Sequence, residues 1–437
     1  MAEFRDLFTV LLQLIPPVPC TTVRRVPTAP ISQLDDAEVR HMVMSAAALA
    51  AHALTDTEQR PEQRWRALLD AHGRVLAARG TGSPLTFGEF RRLLSGDLSE
   101  LLPARVPAAE MEHVRLVTDD GDFEEDVFDL EQEQRAVLRA LSATTRAGAT
   151  PNSESLQAEL DQDRVFTALK KRQNQAAYVH GRATLIENPA GTETALRRMN
   201  LPSAVTEFYK PISAAATYDR WWFACPLCRW PMRITIRSGR RSPLGHVRCL
   251  HRPHVRFGAA YTFRIPDAGR PPTLVPEPPP TRPSGPESVL FPDVTGAVPE
   301  PQPTDHHVAL TRGVWRWTTI PGLIEVALHR ALISRGLHAE LWPDLDTYDL
   351  HVDLEVSDGG TRAYRIDVKD FTSSVLLAKK IRSDEGDAGD ANWLVVPDYR
   401  ASTVPMLSAV GIEFGLQVAA AGALGSQICE EAGVTWA

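Results

Sequence analysis

In "YRIDVKDF", residues 364–371, an aspartate and a lysine stand two apart in a run that alternates polar and apolar side chains. The alternation predicts a strand with Ile366 and Val368 on one face and Arg365, Asp367 and Lys369 on the other. Upstream, "DTYDLHVDLEV" predicts a second strand, with Asp349, His351, Asp353 and Glu355 on one face and Leu350, Val352, Leu354 and Val356 on the opposite face. An acid and a lysine on one face also make an ordinary strand ion pair. Crowded carboxylates, however, are costly without a cation, so a divalent ion is the other reading. Lysine is scarce here, with six against 41 arginines. Lys369 therefore marks a place that needs a compact charge or a group able to lose its proton.

A second set of residues suits a softer metal. "CPLCRWPMRITIRSGRRSPLGHVRCLHRPH" opens with Cys225-x2-Cys228 and closes with Cys249 followed by His251 and His254. A C-x2-C turn lets two thiolates reach one tetrahedral ion, and a returning strand delivers the rest. Cys225, Cys228, Cys249 and His254 are the expected zinc ligands, with His251 and His246 as alternatives for the fourth. Three thiolates and a histidine leave no open position, so the site is expected to be structural. The stretch resembles a zinc ribbon in which the second C-x2-C is replaced by Cys and His. Three of the five cysteines fall in this segment, which argues against a disulfide framework.

Around this module the charge reverses. The chain carries a net charge of -8, yet Arg220 to Pro266 holds ten arginines and no acid. Arg229, Arg233, Arg237, Arg240 and Arg241 are the residues expected to meet a phosphate backbone.

The elements that must position these groups divide the chain into four. Residues 1–205 read as mainly helical, with segments near 37–53, 61–79, 86–102 and 130–145 and a helix-turn-helix pattern near 182–209. Residues 206–265 form the arginine-rich zinc module, and the proline-crowded residues 266–305 read as a linker. Residues 306–437 alternate helix and strand: an amphipathic helix over "PGLIEVALHRALISRG" ending at Gly336, two strands, a short helix over "VLLAKKI" and a buried strand at "NWLVVP". No run of eighteen apolar residues appears, and Met1 to Cys20 lacks a basic leader, so a cytoplasmic protein is expected, with no membrane segment. The fold class is a multidomain chain: a mainly α N-terminal region, a small zinc-ribbon-like β module and a C-terminal α/β domain.

The order Glu325 in a helix, Asp349 before one strand, Asp367-Val368-Lys369 in the next, then a helix and a buried strand resembles the core of the PD-(D/E)xK, or restriction-endonuclease-like, nucleases over residues 309–400. The resemblance implies a metal-dependent phosphodiesterase acting on DNA. Asp349, Asp367 and the Val368 carbonyl would hold Mg2+ or Mn2+, and Lys369 would orient or deprotonate the water and stabilise developing charge. Glu325 would serve as a further ligand. That family's first acid often follows a proline directly, whereas Pro343 lies six residues before Asp349, which leaves Asp353 and Asp346 as alternatives. The whole layout is also similar to the restriction-endonuclease partner proteins of prokaryotic PIWI-RE defence islands. That likeness implies a PIWI-like protein and a DinG-type helicase as partners, in defence against foreign DNA. A non-catalytic nucleic-acid-binding adaptor or a protein-interaction scaffold would carry the same zinc module on an inactive fold.

Overall fold

The computed structural model describes residues 34–55, 60–117, 123–124, 126–141, 153–171, 173–237, 243–277, 283–291, 298–355 and 360–436. The chain divides into two compact units, Met1–Ser155 and Leu156–Ala437. Among the described residues no helix is long and apolar enough to cross a membrane.

The first unit is helical. Helix α1 (Asp36–Thr55) carries a run of alanines, with Ala46, Ala47, Ala50 and Ala51 fully buried. Such small side chains allow close approach by α2 (Pro61–Arg79) and by α4 (Asp126–Leu141). Helix α3 (Phe87–Leu93) starts at a capping box, in which Thr86 Oγ1 accepts from the Glu89 amide at 3.2 Å and Glu89 accepts from the Thr86 amide at 2.8 Å. It stops well short of residue 102. Gly96 interrupts it, and Asp97 caps a separate 3-10 turn, Leu98–Leu101, by accepting from the Ser99 amide at 2.9 Å.

In the second unit, α5 (Ser153–Lys170) and α6 (Gln175–Glu187) precede a short strand, β1 (Ala190–Thr192). Asn174 starts α6 by accepting from the Ala177 amide at 2.9 Å, and Thr192 caps α7 (Glu193–Arg198) in the same way. The stretch expected to turn between two helices is thus a strand, and it pairs antiparallel with residues 307–309 further along the chain. Next come β2 (Tyr209–Pro211) and β3 (Trp221–Trp222). A four-stranded antiparallel sheet follows, in the order β4 (Arg233–Arg237), β5 (Leu244–Arg248), β6 (Ala260–Arg264) and β7 (Val275–Pro276), with the short helix α8 (Arg252–Arg256) between β5 and β6.

The proline-rich stretch is partly built into this unit. Besides β7, it supplies β8 (Gln302–Pro303), which pairs with β3, and a 3-10 turn, Gly285–Val289. The Trp436 indole donates to the Pro286 carbonyl within that turn at 2.9 Å. Strand β9 (His307–Leu310) then runs between β1 and β2.

Downstream, a π-helical turn, Trp315–Thr319, leads into α9 (Ile320–Ile333). A five-stranded mixed sheet is ordered β10 (His338–Leu341), β11 (Leu350–Glu355), β12 (Thr361–Val368), β13 (Trp393–Val396) and β14 (Gln417–Ala420). The first three strands are antiparallel, and β12, β13 and β14 run parallel. The parallel pairs are bridged by α10 (Ser374–Ser383) and by α11 (Val404–Gly411), and α12 (Ala421–Glu431) closes the chain. Strand β13 shows why both faces are apolar. Trp393 and Val395 join a core with Ile324, Leu328, Leu424 and Ile428, while Leu394 and Val396 join one with Leu377, Ile381, Leu407 and Val410. Burial on both faces suits a continuous apolar run such as "WLVV".

Candidate functional site

Strand register brings the two acids together. In the β11–β12 pair, His351 faces Arg365 and Leu350 faces Ile366. One step further in this register sets Asp349 opposite Asp367, and the Asp349 amide donates to the Ile366 carbonyl at 2.9 Å. Like charges directly opposite on a sheet are unfavourable. The pair lies at the carboxyl ends of the parallel strands, where ligands of open α/β sheets commonly bind.

Each carboxylate oxygen has a definable environment. Asp349 Oδ2 accepts the Val368 amide at 2.7 Å, and its Oδ1 accepts Arg182 Nη2 at 3.2 Å. Asp367 Oδ1 accepts Lys369 Nζ at 2.8 Å. Asp367 Oδ2 is buried and meets no hydrogen-bond donor. Burial and the neighbouring Asp349 carboxylate outweigh the pull of Lys369 and push the Asp367 pKa up to about 6. Burial works against the Lys369 ammonium, but Asp367 and Asp349 prevail and hold its pKa above the ordinary lysine value. Lys369 therefore stays charged.

Glu325 joins from α9, where it is 1% exposed. Its two oxygens accept Arg182 Nη2 at 3.1 and 2.8 Å, and the Trp342 indole donates to Oε2 at 2.5 Å. Burial, with help from Asp349, pushes its pKa up to about 8 despite Arg182. Of the alternative acids, Asp353 is exposed and pairs with His351 at 3.1 Å. Asp346 pairs with Arg182 and accepts the Tyr178 hydroxyl at 2.8 Å. Glu325, Asp349, Asp367, Val368 and Lys369 thus meet at one end of the sheet, and Asp353 stands apart from them.

Arg182 was not visible as a site residue in the sequence. It projects from α6 between the rings of Trp342 and Phe166, 4.6 and 5.2 Å from their centroids. Nothing distinguishes it from forty other arginines until the fold sets α6 against α9. Asp370 was also missed. Its buried carboxylate accepts Arg400 Nε and the Tyr399 hydroxyl, each at 3.0 Å, and lies 3.5 Å from Arg316. Arg316 also donates to the Asp370 carbonyl at 2.9 Å.

The sulfur cluster is compact. Cys225, Cys228, Cys249 and His254 are all buried, and their ligand atoms lie within 4.8 Å of one another. Cys228 and Cys249 Sγ are 3.8 Å apart, and His254 Nδ1 is 3.8 Å from Cys225 Sγ and 3.6 Å from Cys249 Sγ. Tetrahedral zinc with bonds of about 2.3 Å sets sulfurs about 3.8 Å apart, so the donor set fits that ion. The C-x2-C turn is fixed by the Arg229 amide donating to the Cys225 carbonyl at 2.8 Å, with Arg229 left-handed at φ 58°. Burial raises the Cys228 pKa, but hydrogen bonds from Cys225, Cys249 and His254 outweigh it and lower that pKa well below the ordinary thiol value. His251 instead meets the Tyr399 hydroxyl at 3.2 Å, and His246 meets Glu277 at 3.0 Å.

The arginines behave unevenly. Arg229 is exposed and donates to the Glu187 carbonyl at 3.3 Å. Arg233 and Arg237 on β4 are half-buried and have partners of their own. Arg240 and Arg241 lie outside the described residues. Glu277, just beyond the acid-free window, neutralises Arg248 at 2.8 Å.

Residues 322–436 match a family model described as "REase associating with pPIWI_RE". The match spans α9 to the end of α12 and includes every acid of the cluster. No curated protein matches the chain. No solved structure matches it either.

Proposed function

We propose that residues 306–437 form a metal-dependent nuclease of restriction-endonuclease type that hydrolyses DNA phosphodiesters in defence, alongside a PIWI-like protein and a DinG-type helicase. The observation that carries this reading is Asp367 Oδ2: a buried acceptor without a donor, opposite a second carboxylate and two residues from a charged lysine. A buried polar atom left unpaired is costly, and a cation shared with Asp349 would remove that cost. Asp349, Asp367 and the Val368 carbonyl would hold Mg2+ or Mn2+, with Glu325 behind them. Bound there, the ion supplies charge neutralisation at the phosphate and a more acidic water.

The chain's own groups do the rest. Lys369 keeps its proton in these surroundings, so it faces a phosphate oxygen or a water as a donor rather than as a base. The Val368 amide fixes Asp349 Oδ2 and leaves Oδ1 to turn toward the ion. The zinc cluster knots the central module, whose exposed arginines, Arg229 among them, would track a DNA backbone with little sequence information.

The test is cleavage of plasmid DNA with Mg2+ or Mn2+ by the full chain and by Asp367→Ala and Lys369→Ala. The expected result is cleavage by the wild type, at least a hundredfold loss in each variant and DNA binding nearly unchanged. Wild-type protein that cuts no DNA with either ion overturns the reading. The adaptor alternative draws on one observation: Arg182 already engages Glu325 and Asp349. It predicts salt-dependent DNA binding with no cleavage.

A further inference from the structure

Arg182 lies outside the matched segment 322–436, yet it makes the largest set of contacts in the acidic cluster. Its Nη2 lies 2.8 Å from Glu325 and 3.2 Å from Asp349, its Nη1 pairs with Asp346, and two rings enclose its guanidinium. Its position is fixed by tight packing. A Cβ on Gly181 would come 2.7 Å from Leu169 Cδ2 of α5, and one on Gly322 of α9 would come 2.4 Å from Ile186 Cδ1 of α6, so α6 is held closely on both sides by a glycine at each contact. Glu325, Asp346, Asp349 and Asp367 supply four carboxylates, against two cations in Arg182 and Lys369.

Arg182 and a metal would compete for the same carboxylate oxygens. Asp349 Oδ2 is held by the Val368 amide, so Oδ1 is the oxygen it can turn to a metal, and Arg182 holds that oxygen. Both Glu325 oxygens are also taken by Arg182. Only Asp367 Oδ2 stands open.

We infer that Arg182 is an internal guanidinium competitor for the divalent ion, and that it sets the affinity of the Asp349/Asp367 site by withholding Asp349 and Glu325 until the ion displaces it. This rests on reading that pair as a divalent-cation site. The like-charge logic is simple: a fixed cation a few ångströms from a metal position opposes the metal and lowers its occupancy. Removing it leaves three carboxylates short of a counter-ion and favours the metal.

The experiment titrates zinc-loaded full-length protein with Mn2+, followed by the paramagnetic signal of the free ion, and with Tb3+, whose luminescence Trp342 is placed to sensitise. Arg182→Met is expected to bind both ions at least tenfold more tightly than wild type. Adding Asp367→Asn to that variant should abolish the gain, and free guanidinium ion should weaken Mn2+ binding in Arg182→Met but not in wild type. If Arg182→Met does not fold, Arg182→Lys serves: a compact ammonium cannot span Glu325 and Asp349 as the fork does, so a smaller gain in the same direction is expected. Equal or weaker binding in a folded Arg182 variant, with wild-type binding lost in Asp367→Asn, overturns the inference and leaves the metal site standing. No Asp367-dependent binding in any of the proteins removes the metal site and the inference together.

Discussion

Asp367 and Asp370 stand three residues apart, and their surroundings treat them in opposite ways. Burial and Asp349 push the Asp367 pKa up to about 6, so ionised Asp367 subtracts stability once pH rises above its unfolded value of about 3.9. Asp367→Asn is therefore predicted to raise the unfolding temperature of metal-free protein at pH 7 while abolishing Mn2+ binding, a trade of stability against function. Burial would also raise Asp370, but Arg400, Arg316 and His251 outweigh it and hold its pKa far below the ordinary value. A depressed pKa contributes stability that is present above about pH 4 and lost as pH falls toward the folded value. Asp370→Ala should cost about 3–5 kcal/mol at pH 7, because it leaves the buried Arg316 and the half-buried Arg400 without their carboxylate, and calorimetry should show the difference shrinking in acid. Asp367 and Lys369 could be read from the sequence as neighbours on one strand face because alternation is a local rule, whereas Asp349 as the first acid was expected only from the family resemblance. Arg182 and Asp370 could not, since their meaning comes from partners brought in by packing of distant segments.

Among elements, the C-x2-C turn and the sheet end are linked through packed side chains. Trp230, in the turn after Cys228, stacks on Trp315 of the π-helical turn with centroids 4.4 Å apart and planes at 17°. On the other side, His251 meets Tyr399, whose hydroxyl binds Asp370. Cys228→Ser is predicted to drop zinc content from one ion per chain to none by elemental analysis, and to red-shift the tryptophan emission as Trp230 leaves Trp315. The α6–α9 contact gives a second prediction. Gly322→Leu drives a side chain into Ile186 and should destabilise by about 1–3 kcal/mol in urea unfolding. The amphipathic pattern gave α9, and the alternation gave β11 and β12, with ends displaced by up to about three residues. The π-helical turn before α9 carried no comparable signal, and the short strands β1, β8 and β9 gained their form only by pairing with distant chain.

For the molecule as a whole, the matched segment is shorter than the structure that builds the site. Residues 322–436 hold the acids and Lys369, but Arg182, Arg316, Trp315 and the Cys3His cluster precede them within Leu156–Ala437. A fragment of residues 156–437 is predicted to bind one zinc and unfold in a single cooperative transition, whereas residues 322–436 alone should lack a sharp transition, read by calorimetry. Composition set the cysteine cluster apart, and its side chains do come together as a buried Cys3His group of the kind that holds a metal ion. It did not foretell that the proline-rich stretch would contribute strands and a buttress under Trp436, because proline density reports backbone stiffness and not what the stiff chain lies against. The most direct test of the central claim is anomalous diffraction from crystals holding Mn2+. The account predicts a peak about 2.1 Å from Asp349 Oδ1 and Asp367 Oδ2, with Arg182 moved off Asp349. Saturating Mn2+ with no peak there, and Arg182 still bound to Asp349, would contradict it.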